Sequence, residues 1–273
     1  MISNNKICAI VVGAGAVKNA WNPVIRALQQ YHDFSLTPDG ANSFLARVVY
    51  LLRWYASDNS EFGKEQLRLH LDFLNDIKVS ISKELKDSQR KQEITVRENY
   101  EEIINKFLIP YGNKFMLITT NWENVASDAL HAILNKKYKC ELFPLHLHGS
   151  IDNSDTLYLP SEMTKEPYRT TEDEQHIGGM HGSVWRGLEK AHRVIVYGLS
   201  IDPLDAELGQ TLACGWSNKC LEEIIIINPS HENVAHRVNL LLDRKRDIKI
   251  TGYSPDKLNA KHDYTITRHK ANK

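Results

Sequence analysis

Five short turns, each placed directly after a run of β-branched residues, hold the groups in this chain that could do chemistry. The first is VVGAGAV, where Gly13, Ala14 and Gly15 follow an apolar run. Glycines at a strand end let the backbone turn sharply and approach a pyrophosphate, which the N-terminus of the next helix can hold. Lys18 stands where G-x-G-x-x-G requires its third glycine, so a tight turn without a ligand remains an open alternative. The second turn is LITTNWENV, which places Thr119, Thr120 and Asn121 where open α/β sheets bind ligands. Capping of the following helix by Thr120 or Asn121 is the competing reading. The third is FPLHLHGSID. Alternation puts His146 and His148 on one face of a strand, and Gly149 lets the chain turn. Two such histidines could ligate a metal, but the spacing nominates no further ligand. One histidine pointing into a cleft as a general base, with its ordinary pKa of about 6.5, is the better reading. The last two are VIVYGLSIDPLD and IIIINPS, in which Gly198 leaves space, Ser200 brings a hydroxyl and Asn228 an amide for a ribose or adenine. Asp202 and Asp205 read as helix N-terminal residues favoured by the dipole rather than as catalytic groups. Glu123 and Glu102 form a conceivable carboxylate pair that nothing in the sequence brings together.

These turns need strands to carry them. Continuous apolar runs at 7–12, 115–119, 142–147, 194–197, 224–227 and 248–251 suit strands buried on both faces, as in a parallel sheet covered by helices. The expected fold class is therefore α/β, a Rossmann-like doubly wound parallel sheet. Residues 121–136 and 231–242 carry helical apolar spacing between these runs. Residues 41–108 break the alternation, with one stripe at Phe44, Val48, Leu51 and Leu52 and another at Leu67, Leu71, Leu74, Ile77 and Ile81. A polar run at 83–102 follows. The expectation is one domain over 1–273 with a helical insertion at about 41–110, serving as a lid, an oligomer surface or a partner surface. Residues 152–177 read as irregular, and the basic segment after Lys257 as a frayed end.

The chain has 273 residues, with 34 Lys or Arg against 34 Asp or Glu. That balance argues against direct nucleic-acid or anionic-membrane binding. Cys8, Cys140, Cys214 and Cys220 are scattered and none forms a C-x2-C pair, so a zinc module is not expected. No apolar run approaches the roughly 18 residues that span a bilayer. A cytoplasmic protein with reduced thiols is the expectation.

The order GAG, TTN, HLHGS, YGLS, INP resembles the Sir2 family, specifically the divergent bacterial Sir2-like domains of antiphage defence, over roughly residues 7–230. TTNWE resembles the sirtuin TQNID, and HLHGS carries the family's His-Gly pair. The resemblance implies NAD+ as substrate, with Asn121 holding the nicotinamide ribose and attacking water and His148 acting as base. It places Gly13, Ala14 and Gly15 along the pyrophosphate, and Gly198, Ser200 and Asn228 on the phosphate and adenosine side. Thr120 and Glu123 join the NAD-binding set, Glu123 standing where the family has an Asp that contacts the nicotinamide amide. The chain departs from the family in lacking the Ser after GAG, the GIPDFR segment and the four-Cys zinc module. Hydrolysis of NAD+ therefore fits better than protein deacylation. An NAD-dependent deacylase or ADP-ribosyltransferase, and a non-catalytic subunit sensing NAD or ADP-ribose, are the alternatives. No metal is implied. An ungated NADase would poison its host, so the resemblance further implies a homo-oligomer or a partner such as a HerA-type ATPase or a short Argonaute.

Overall fold

A computed structural model describes residues 6–31, 35–111, 114–138, 143–242 and 247–264. The chain opens with β1 (Ile7–Val12), a 3-10 turn at Ala14–Ala16, the two-residue β2 (Val17–Lys18) and α1 (Trp21–Gln29). Two long helices follow, α2 (Pro38–Ser57) and α3 (Glu61–Arg90), then β3 (Thr95–Val96) and the short α4 (Tyr100–Ile103). Next come β4 (Lys114–Thr119), α5 (Val125–Tyr138), β5 (Leu145–His146), α6 (Thr171–Leu188) and β6 (Arg193–Tyr197). The chain continues through α7 (Ala206–Trp216), β7 (Glu223–Ile227), α8 (His231–Leu241), β8 (Lys249–Ser254) and β9 (Lys257–Asp263).

Among the described residues, seven strands form one sheet in the order β5-β4-β1-β6-β7-β8-β9, and all pairings are parallel except β8 with β9. Counted along the chain within this sheet, the order is 3-2-1-4-5-6 plus one antiparallel edge strand. This is the order of doubly wound dinucleotide-binding sheets, whose ligands lie where the chain switches from one side of its first strand to the other. Here that switch point lies between β1 and β6. The minor pair β2 and β3 is antiparallel and separate.

Both faces of the sheet are covered. Cys8, Ile10 and Val12 of β1 point into one core with α1 to α5, while Ala9 and Val11 point into the other with α6 to α8. The isoleucines Ile224 to Ile227 are buried on alternating faces in the same way. Each such side chain contributes roughly 1.5–3 kcal/mol, so an apolar run without alternation is what two cores require. The helices of the expected insertion share the first core, since Leu45, Val49 and Leu52 of α2 and Ile77 and Ile81 of α3 pack into it.

Several expectations are corrected. The strand read at 142–147 pairs only at Leu145–His146, and residue 142 lies outside the described residues, as does Cys140. The helix read at 121–136 begins at Val125, because the Glu123 carboxylate accepts the Val125 N–H and the Asn124 carbonyl accepts the Asp128 N–H. The polar run at 83–102 starts inside α3, which continues to Arg90. The region 152–177 is irregular only to Thr170, which caps α6 in a reciprocal capping box with Asp173. The segment after Lys257 is not frayed over residues 257–263, where it pairs with β8. Among the described residues no helix is long and apolar enough to cross a membrane.

Candidate active site

The carboxyl ends of β1, β4 and β6 open into a cleft of about 340 Å³, within the range typical of small-molecule sites. Ala14, Gly15, Thr120, Asn121, Glu123, His148, Gly198, Ser200 and Asn228 line it. Of the residues read from the sequence, Gly13, Glu102, Thr119 and His146 are not among those that line it.

The glycines serve a structural purpose that the sequence did not show. Gly198 has φ +64, and a Cβ there would stand 2.2 Å from Ala16 N, while a Cβ on Gly15 would stand 2.8 Å from Gly198 O. They let the ends of β1 and β6 touch. Gly13 N donates to Tyr197 O at 2.9 Å, Gly15 N to Gly198 O at 2.8 Å and Ala16 N to Gly13 O at 3.0 Å. Those amides are engaged by the protein itself. The strand also leads into a 3-10 turn and β2 rather than directly into an α-helix. The next helix along the chain is α1, where Ala20 and Trp21 line the cleft without a side-chain cap.

At the end of β4, Thr120 N donates to Val12 O at 3.0 Å, and the Thr119 hydroxyl accepts the Asn121 N–H at 3.0 Å. Asn121 does not cap α5. Its Nδ2 donates to Glu123 Oε1 at 2.8 Å, while Asn121 Oδ1 and Glu123 Oε2 are buried with no hydrogen-bond partner. Burial pushes the Glu123 carboxyl up to about 7, against the stabilising bonds from Asn121 and Val125, with a further push from the charge of Asp128. A carboxyl poised there exists in both protonation states near neutrality.

His146 and His148 do not stay on one face. The chain leaves β5 at His146 and turns through Leu147 to Gly149, whose φ is +75. His148 enters the cleft. His146 instead lines a separate surface hollow with His176 and Arg186, and its Nδ1 lies 3.3 Å from Asn121 O. The His148 ring is stacked on Tyr158 at a centroid distance of 5.4 Å and an interplanar angle of 14°. Its Nε2 lies 3.0 Å from Asp205 Oδ2. The two groups form an ion pair when the ring is protonated. Burial by itself lowers the His148 pKa, but the charge of Asp205, contacts with Asp205 and the Thr120 backbone, and the charge of Glu162 outweigh it and hold the value above the ordinary one.

On the far wall, Asn228 does not present a free amide. Its Nδ2 donates to Leu199 O at 3.2 Å and its Oδ1 accepts the Ser230 N–H at 2.8 Å. It braces the end of β6 instead. Asp205 caps α7, accepting the Leu208 N–H at 3.3 Å. Asp202 accepts the Leu204 N–H at 2.9 Å. Among the described residues no three His, Cys, Asp or Glu side chains are placed to share a metal ion.

Sequence reasoning missed the walls contributed from a distance. Trp21, Trp122 and Tyr158 supply aromatic surface, and Pro38, Asp39 and Asn42 bring the first turn of α2 to the cleft. None carries a local signal beyond its side-chain type. In comparisons of the whole chain, no family model and no curated protein matches it.

Proposed function

We propose that the chain is a Sir2-like NAD+ glycohydrolase that cleaves NAD+ to nicotinamide and ADP-ribose. One observation carries this reading: three polar side chains, Asn121, Glu123 and His148, meet at the switch-point cleft of a sheet in dinucleotide-binding order, with Asn121 Oδ1 and Glu123 Oε2 buried and unbonded. Buried polar atoms without partners cost about 1–3 kcal/mol each, and a polar ligand is a way to complete them.

The chemistry matches the groups. Water adds through its oxygen to the ribose C1′, and the C1′–N bond breaks with its electron pair going to the nicotinamide nitrogen, which neutralises the pyridinium. The proton of the attacking water passes to His148. The leaving group departs neutral, so no strong acid is needed. Orientation by Asn121 and proton removal by His148 are what the site supplies. A role in antiphage defence, with activity gated by a homo-oligomer or a partner protein in the cytoplasm, belongs to the same proposal and rests on the resemblance of the motifs.

The test is nicotinamide release from NAD+ by the purified protein and its His148→Ala variant, with mass identification of the second product. Wild-type release with a loss on the order of 10²-fold in the variant supports the assignment. Equal release by both overturns it.

A further inference from the structure

Building on the NAD-cleavage reading, we propose that Asp205 is the positioning residue of His148. It holds the imidazole by its Nε2 edge and stabilises the imidazolium that results when the ring takes a proton. Its role as a helix cap accounts for only one of its oxygens. Oδ1 accepts the Leu208 N–H, while Oδ2 stands 3.0 Å from His148 Nε2. A carboxylate tied to a helix end by one oxygen cannot swing away from the ring with the other.

The same helix turn also fixes a face of the imidazole. Tyr158, stacked on His148, donates its hydroxyl to Glu207 Oε2 at 2.6 Å, two residues beyond Asp205. The segment that delivers Asp205 is itself held in an uncommon shape. Ile201 is a β-branched residue at φ +53, a region such residues rarely adopt. Arg237 Nη1 clamps it by donating to Ser200 O at 2.8 Å and Ile201 O at 3.3 Å. Strain of this kind persists where the surroundings over-determine it, and the position it secures here is that of the Asp205 carboxylate.

Other groups face His148 as well. Glu162 approaches from the segment before α6, His181 from α6, and the Thr120 backbone from the end of β4. Glu162 is already paired with Arg169 at 2.5 Å, and Lys78 stands 3.9 Å away. Asp205 is thus the carboxylate in contact with the ring. During cleavage the proton moves from water to the imidazole and Asp205 keeps its charge, the arrangement by which an acid orients a catalytic histidine without itself being protonated.

The experiment compares the full chain with Asp205→Asn, which keeps volume and a capping oxygen, and Asp205→Ser, which keeps the cap but cannot reach the ring. The first readout is the titration midpoint of His148 by NMR in the ligand-free protein. Both variants are expected to lower it by about one pH unit or more. The second is nicotinamide release, expected to fall about 10²-fold or more with KM unchanged, and with the acid limb of the pH profile displaced downward by the same amount. An unchanged His148 midpoint, or a lower melting temperature with an unchanged pH profile, overturns the proposal. Absence of nicotinamide release from wild type would remove the NAD-cleavage reading alone, since the NMR midpoint still decides the pairing.

Discussion

Asn121 and Glu123 are bonded to each other, Nδ2 to Oε1 at 2.8 Å, and each keeps its other polar atom buried and unbonded in the wall of the cleft. The pair satisfies half of its own needs and leaves the other half to whatever enters. Such sites are uncommon, because an unbonded buried polar atom is a standing cost. They make sense where ligand recognition outweighs stability.

Asn121→Ala is expected to reduce NAD+ cleavage by about 10²-fold or more. The loss in stability should stay within about 1–3 kcal/mol, the scale of one buried hydrogen bond, because α5 starts at Val125 without help from Asn121. Kinetics and thermal melts on the same preparation check this. A large melting-temperature drop with intact turnover would restore the capping role.

Glu123 gives a pH signature in stability. Its carboxyl is pushed by burial from 4.5 up to about 7, so the folded state binds its proton more tightly than the unfolded chain. Stability from this group is therefore full below about 4.5 and is lost as pH rises through about 7. Glu123→Gln removes that loss. The variant should gain stability relative to wild type more at pH 8 than at pH 5, and paired denaturant melts at the two values measure the difference.

Gly198→Ala is expected to destabilise the protein by at least about 2 kcal/mol, since it combines a left-handed backbone with overlap against the Gly15 and Ala16 backbone. Gly179, where an added Cβ meets nothing within 4 Å, is the control. Gly179→Ala lies inside α6 and should stabilise slightly, by about 0.5–1 kcal/mol.

The walls of the cleft bear Asp39, Glu123, Asp202 and Asp205. A 2′-phosphate adds a near-dianion to a site already rich in carboxylates, and like charges in contact are costly. NADP+ should therefore be cleaved about 10-fold to 100-fold less efficiently than NAD+, as judged by kcat/KM. Equal efficiencies would show that the adenosine ribose points away from these groups.

The inner strands β1, β4, β6 and β7 could be read from the sequence nearly to the residue, because they are β-branched runs buried on both faces; the edge strands β5 and β9 and the small pair β2 and β3 could not. Once they are parallel and doubly wound, their carboxyl ends must share one edge, so GAG, TTN and YGLS meet there by geometry. What stayed hidden depends on tertiary crossings. His146 and His148 separate because β5 ends after two paired residues, which alternation cannot foresee. Asp205 reaches His148 only because α7 begins beside the turn that follows β5. The amides of Gly13 and Gly15 look free in one dimension and are bonded to or around β6 in three. Thr170 and Asp173 were a capping signal in plain view, disguised by Asp where Glu or Gln is usual.

The first turn of α2 and Leu85 of α3 form one wall of the cleft, and both helices pack into the core beneath the sheet. The helical segment is thus part of the cleft wall rather than an appendage. Its outer side carries Tyr50 and Trp54, the latter 72 % exposed. The same two helices therefore present an exposed aromatic side to the outside and a cleft wall to the inside.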